Sequence, residues 1–237
     1  MHISRSSAFQ AVLGRTLSAS LVAFVCLCAA PASKATPMNY TALLAPENGS
    51  GVSGAASLTL NNNLLTVTIN ATGLEPNQVH MQHIHMLLDS SGHPMPPLPP
   101  VDLDHDGFIE TPEAVQFVGP PVLDLSLTPG SKTFPTTPTG TLNFSQTYDL
   151  TDPAVFAPGF NINNLMPLNF GTLEIHGMTL GAQGGDGGEA NGTPGYKAEL
   201  PVAGGMIQAV PEPAALTCIS LGLFLVTFLV ARKRKTA

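Results

Sequence analysis

Gly54-Ala-Ala-Ser-Leu-Thr-Leu60, the turn Asn61-Asn62-Asn63 and Leu64-Leu-Thr-Val-Thr-Ile-Asn70 decide the fold class of this 237-residue chain. Both flanks alternate in the period of two that a half-buried strand requires, and asparagine tolerates the left-handed backbone of a tight turn. The spacing predicts a β-hairpin. Working outward, similar strand signals occur at Asn39 to Ala45, His80 to Leu88, Leu142 to Tyr148, Gly171 to Gly177 and Leu200 to Gln208. Helical periodicity is almost absent. Pro94 to Pro100 is too proline-rich for either regular element, and Gly181 to Gly195 reads as a glycine-rich loop. Many short strands separated by loops predict an all-β antiparallel sandwich.

Both ends of the chain read as addresses rather than fold. Arg5 and Arg15 precede an apolar run from Leu17 to Ala30, and small residues around Ala30-Pro31-Ala32 and Ser33-Lys34-Ala35 suit signal peptidase. Residues 1–35 are therefore expected to be a signal peptide, with the exported chain starting near Thr36. At the other end, Ala214 to Ala231 is 18 residues without a charge and is followed by Arg232-Lys233-Arg234-Lys235. As a helix this run spans roughly 27 Å, close to a bilayer's hydrocarbon core, with the basic cluster on the cytoplasmic side. Pro211-Glu212-Pro213, the apolar run and the basic tail together resemble the bacterial PEP-CTERM sorting signal. That resemblance covers residues 210–237. It implies a transmembrane anchor at the inner membrane, an exosortase-type sorting protease as partner, and a final place at the cell surface or outside the cell.

The exported segment, residues 36–209, is long enough for one domain. All three cysteines, Cys26, Cys28 and Cys218, lie within the two terminal signals. Disulfides and cysteine nucleophiles are thereby excluded from the domain. Between Thr36 and Val210 only Lys132 and Lys197 are basic, against fifteen acids, a net charge of −13 with histidines neutral. Such a surface repels nucleic acid and anionic lipid and attracts divalent cations.

Five of those acids fall in Asp102-Leu-Asp104-His-Asp106-Gly107-Phe108-Ile109-Glu110-Thr-Pro-Glu113. The segment fits an EF-hand calcium loop along its length. Asp102, Asp104 and Asp106 stand at positions 1, 3 and 5, and Gly107 allows the sharp turn at 6. Phe108 offers its carbonyl at 7, Glu110 stands at 9, and Glu113 at 12 can bind through both oxygens. A proline-rich stretch replaces the entering helix, and Pro112 to Val118 suffices only for a short helical turn. The expected role is an isolated structural calcium site that pins a long insertion, residues 88–139.

Three histidines crowd into His80-Met-Gln-His83-Ile-His85. Residues two apart on a strand share a face, so His83 and His85 can chelate one copper or zinc ion while His80 points away. Met81 and Met86 stand beside them and suit either a soft copper ligand or core filler; Met206 is expected to be core filler. In pieces, the exported domain resembles the CHRD family. Tyr40-Thr-Ala-Leu-Leu44, the opening hairpin, Gln82-His83-Ile84-His85, Leu173-Glu-Ile-His176 and Gly204-Gly-Met-Ile-Gln208 carry the likeness. The resemblance implies a Greek-key sandwich, immunoglobulin-like or like Cu/Zn superoxide dismutase. It further implies a copper or zinc site of His83, His85 and His176. His93 is a loose candidate for a bridging ligand. The acidic surface and the lack of a steering arginine argue against superoxide as substrate.

No phosphate-binding glycine loop, nucleophile elbow or zinc-protease helix is present. Two readings follow. One is an exported, non-enzymatic cell-surface or matrix protein with a structural calcium site and an exopolysaccharide or other matrix component as partner. The alternative is a histidine-ligated copper or zinc protein with a storage or redox role. Asn48, Asn70, Asn143 and Asn191 each head a glycosylation sequon, which would suit a third reading as a eukaryotic single-pass protein.

Overall fold

The computed structural model describes residues 36–182 and 188–211. The expected signal peptide, Glu212 and Pro213 of the expected sorting motif, the apolar C-terminal run and part of the glycine-rich loop lie outside the described residues. Among the described residues no helix is long and apolar enough to cross a membrane.

The fold is a mostly antiparallel β-sandwich with few helices. Its strands are β1 (Met38–Pro46), β2 (Ser53–Asn61), β3 (Leu64–Thr72), β4 (Gln82–Leu88) and β5 (Pro94–Met95), then β6 (Pro121–Asp124), β7 (Thr141–Asp149), β8 (Gly171–Leu180), β9 (Gly195–Met206) and β10 (Gln208–Ala209). They run in the order β5-β4-β8-β9-β1-β2-β3-β7, with β6 beside β4 and β10 beside β1. β1 joins the two layers: Met38 to Leu44 pair with β2, whereas Ala45 and Pro46 pair with β9.

The hairpin forms as its alternation dictates. β2 and β3 pair from Ser53↔Thr72 to Asn61↔Leu64, and the turn narrows to Asn62-Asn63, with Asn62 at φ 53°. Ala56, Leu58 and Leu60 face Leu65, Val67 and Ile69 of the partner strand in one buried cluster that also holds Ile84, Met86, Leu173, Ile175 and Val202 from the other layer. Burial of these side chains on the inner faces is what drives the layers together.

Several boundaries differ from the sequence reading, each for a local reason. β4 starts at Gln82, not His80, because the His80 backbone N–H donates to Pro135 O (3.0 Å) instead of entering the ladder. Pro94 and Met95 do pair, with Leu88 and Leu87; a proline is tolerated on so short an edge strand. The helix after the acidic loop, α1 (Thr111–Val118), is longer than a turn. Pro112 lies in its first turn, where no N–H is needed, and Gly119 closes it at φ 82°. β6 carries no alternation and was not legible. Met206 is 49% exposed because the strand breaks there and Ile207 takes the buried place.

The insertion matters most for position. β4 and β8 are buried along nearly their whole length, on both faces. One face is the sandwich core. α1 and β6 from the insertion pack around β4, and the insertion supplies Thr111, Pro121, Asp124, Lys132 and Phe134 to the lining of the other face.

Candidate metal centres

Alternation along β4 and β8 sends Ile84, Met86, Leu173 and Ile175 into the core. It leaves His83, His85, Thr172, Glu174 and His176 on the opposite face, where all five are buried. The strands hold these groups in register, His83 opposite Glu174 and His85 opposite Thr172. A β-bulge at His176 shifts the pairing with β9 on both sides of it, the kind of irregularity that re-aims a side chain. Gly177 follows at φ 110°, where a Cβ would lie 2.0 Å from the Tyr196 hydroxyl.

His83, His85 and His176 each offer a ligand atom, and these atoms lie within 4.8 Å of one another. The imidazole centroids are 5.1 to 5.7 Å apart. Each ring is steered by its other nitrogen. His85 Nδ1 meets Gly119 O at 2.9 Å and His176 Nδ1 meets Glu199 O at 2.6 Å. His83 Nε2 lies 3.4 Å from Asp124 Oδ1, and Lys132 holds the other carboxylate oxygen of Asp124. A carbonyl behind His85 and another behind His176 fix their tautomers, as the outer shell of a metal site does. The remaining nitrogens, His83 Nδ1, His85 Nε2 and His176 Nε2, are buried and have no hydrogen-bond partner. Orphaned buried polar atoms are rare, and three imidazoles that each carry one and lie this close together could hold a metal ion.

Burial keeps the rings neutral, the form in which they ligate metals. His85 is pushed down to about 4 by burial, against the opposing pull of Gly119 O and Asp124. His176 is pushed down to about 3 by burial and by His85, partly offset by Glu199 O. His83 falls well below its usual value through burial, then through the neighbouring His176, His85 and Lys132. A cavity of about 430 Å³ borders the three rings and is also lined by Met81, Phe134, Pro121 and Lys132.

The other sequence candidates separate cleanly. His80 is buried but apart, its ring nitrogens 3.0 Å from His176 O and 3.0 Å from Glu75 O. His93 is exposed beside Asp89. Met86 is in the core, whereas Met81 lines the cavity. Glu174 and Asp124 were missed. Glu174 is two residues before His176, which was signal enough to place it on the same face.

The acidic loop brings its carboxylates together in two overlapping groups, Asp102 with Asp104 and Glu113, and Asp104 with Asp106 and Glu110, each within 4.8 Å. Its backbone is held by its own side chains. Asp102 accepts from His105 N and Gly107 N, Asp104 from Asp106 N, and Asp106 from Phe108 N. His105 and Gly107 take φ of 65° and 96°. Glu113 Oε1 accepts from Leu103 N and Asp104 N, and Oε2 from Glu110 N. Glu110 turns inward to accept from Ala190 N at 2.8 Å. Its carboxyl is pushed up to about 7 by burial, with Asp106, Asp104 and Glu113 adding to the rise.

Asn48 ties this loop to the sandwich. Its Nδ2 donates to Ile109 O (2.8 Å) and Pro201 O (2.9 Å), and its Oδ1 accepts from Ile109 N. Both amide hydrogens are committed, so a glycan at the Asn48 sequon would cost one of these two bonds.

No family model matches the chain, and no curated protein matches it.

The shifts set opposing limits on the metal-free protein. His85 and His176 have folded values below the ordinary 6.5. Their contribution to stability is complete above pH 6.5 and is lost as pH falls towards 4 and 3. Glu110 stands at about 7 against 4.5, and burial also raises Glu47 and Glu174. Their contribution is complete below pH 4.5 and is lost as pH rises through 7. The metal-free protein is therefore expected to melt highest at about pH 5 to 6, with the midpoint falling on both sides. Calcium and zinc should reverse the alkaline fall. Thermal melts across pH, with and without each ion, check this.

Proposed function

We propose that this is an exported bacterial protein, bound for the cell surface or matrix, that holds a copper or zinc ion on His83, His85 and His176. The single observation that carries the reading is the meeting of three buried imidazoles, each with an unpartnered ring nitrogen. His85 and His176 are oriented by backbone carbonyls, and His83 lies beside the Asp124 carboxylate. A buried three-histidine set is costly to maintain without an ion, since each bare nitrogen has given up water and gained nothing. The strand order and the His-x-His strand support a Greek-key sandwich of the dismutase-like or immunoglobulin-like kind. The CHRD likeness agrees with that reading.

Calcium at Asp102, Asp104, Asp106, Phe108, Glu110 and Glu113 serves a structural role in this scheme. It clamps the insertion that roofs the histidine face. The address rests on the N-terminal signal and on Pro211, Glu212 and Pro213. Signal peptidase and an exosortase-type protease are the processing partners, and exopolysaccharide or another matrix component is the surrounding one. A storage or redox role follows from the cavity beside the imidazoles, which leaves a side of the ion accessible. Superoxide is a poor substrate for so acidic a surface.

The test is elemental analysis of purified protein, repeated in His83→Ala and Asp102→Ala. One equivalent of copper or zinc lost in His83→Ala, and calcium lost in Asp102→Ala, is the expected pattern. Calcium alone, with no transition metal in wild-type protein, would leave a purely structural surface protein.

A further inference from the structure

We propose that Glu174 is the fourth ligand of the histidine centre, which makes it a three-histidine, one-carboxylate site for a divalent ion. The proposal rests on the three-histidine reading above.

Glu174 Oε2 lies 3.5 Å from His85 Nε2 and 3.8 Å from His176 Nε2. All three atoms are buried without a hydrogen-bond partner, and Glu174 is only 1% exposed. A carboxylate oxygen thus faces two imidazole lone pairs, acceptors against acceptors. A proton between them would satisfy one pair and leave the third atom, and His83 Nδ1, still bare. A cation between them satisfies Glu174 Oε2 and both imidazole nitrogens at once, with His83 close enough to join.

Among the described residues no other positive group is in place to do so. Among the described residues the two lysines are engaged elsewhere, Lys132 with Asp124 and Lys197 with Asn191 and Thr193. A second buried carboxyl stands close by, because Glu47 packs over Gly204, the register partner of Glu174 on β9. A Cβ at Gly204 would sit 2.5 Å from Glu47 Oε1, so the strand leaves room for that second carboxylate. Glu174 and Glu47 also line a second cavity of about 340 Å³, together with Thr172 and Gly204.

The donor set selects the ion. Three imidazoles and one hard, anionic oxygen suit zinc or divalent copper, and disfavour monovalent copper, which prefers thiolate and thioether ligands.

The test titrates zinc into full-length protein whose acidic loop is already saturated with calcium. Affinity is read by competition with a chromophoric chelator, and the carboxylate stretch by infrared difference spectroscopy. Wild-type protein should bind one zinc and shift one carboxylate band. Glu174→Gln should bind zinc at least about tenfold more weakly and lose that band. Unchanged affinity in Glu174→Gln, or no carboxylate band in wild-type protein, would overturn the proposal, and the second readout needs no variant to fold. If wild-type protein and His83→Ala alike bind no zinc, the three-histidine reading itself fails, which is a separate outcome from zinc bound without Glu174.

Discussion

Gly119→Ala is expected to lower the thermal midpoint and the metal affinity together. Gly119 sits at φ 82°, a backbone region that side chains other than glycine strain to adopt. A Cβ there would lie 1.9 Å from Met86 O, 2.3 Å from Met86 C and 2.5 Å from Leu87 N. These are backbone atoms of β4, so no rotamer change relieves the clash. The helix end must lift from the strand, and its carbonyl, the acceptor for His85 Nδ1, lifts with it. Strain and overpacking together should cost about 3 kcal/mol or more, a fall of roughly 10 °C in midpoint for a domain of this size. Zinc affinity should fall at least about tenfold as His85 loses its orientation. Gly107→Ala is the matched control. Its φ is 96°, but a Cβ there meets nothing within 4 Å. It should cost only about 1 kcal/mol and leave zinc binding unchanged. Thermal melts and zinc titrations of both variants decide the point.

Glu113→Ala is expected to abolish calcium binding and to loosen the roof of the histidine face. Glu113 is buried, and its two oxygens accept three backbone N–H groups as well as facing the aspartates. Calcium needs those oxygens, because position 12 supplies the bidentate ligand. Truncation also leaves three loop donors unsatisfied, at about 3 kcal/mol in sum. Limited proteolysis reads the result. Wild-type protein with calcium should resist cleavage between residues 102 and 113, chelated wild-type protein should be cut slowly, and Glu113→Ala should be cut fast with or without calcium. Glu113→Gln separates the two roles, since it keeps an acceptor for the backbone and loses the charge. Equal protection of Glu113→Ala and wild-type protein would show that the loop is held without this carboxylate.

The sequence made the sandwich legible wherever one strand face was wet. β2, β3 and β7 alternate cleanly because their outer faces meet solvent, as Thr66, Thr68 and Ser145 show by bonding across the exposed face. β6 was silent. It is short and three of its four residues are buried, so nothing alternates. The site was legible in its histidines, through spacing on β4, but not in what orients them. Gly119 O, Glu199 O and Asp124 come from a helix end and two other strands, and such long-range partners leave no local pattern. Glu174 was half legible: its parity with His176 put it on the right face, and only the β4–β8 register placed its carboxylate beside His85. The clustering of the acidic loop's carboxylates was legible because they lie close together in sequence, whereas the tie through Asn48, sixty-one positions away, was not.

Cobalt titration of calcium-saturated, full-length protein tests the histidine centre most directly, because the visible bands of divalent cobalt report coordination number. Wild-type protein should develop the intense bands of a four- or five-coordinate ion, saturating at one equivalent, and His176→Ala should not. Weak six-coordinate bands in wild-type protein, or intense bands that survive in His176→Ala, would contradict a centre built from His83, His85 and His176.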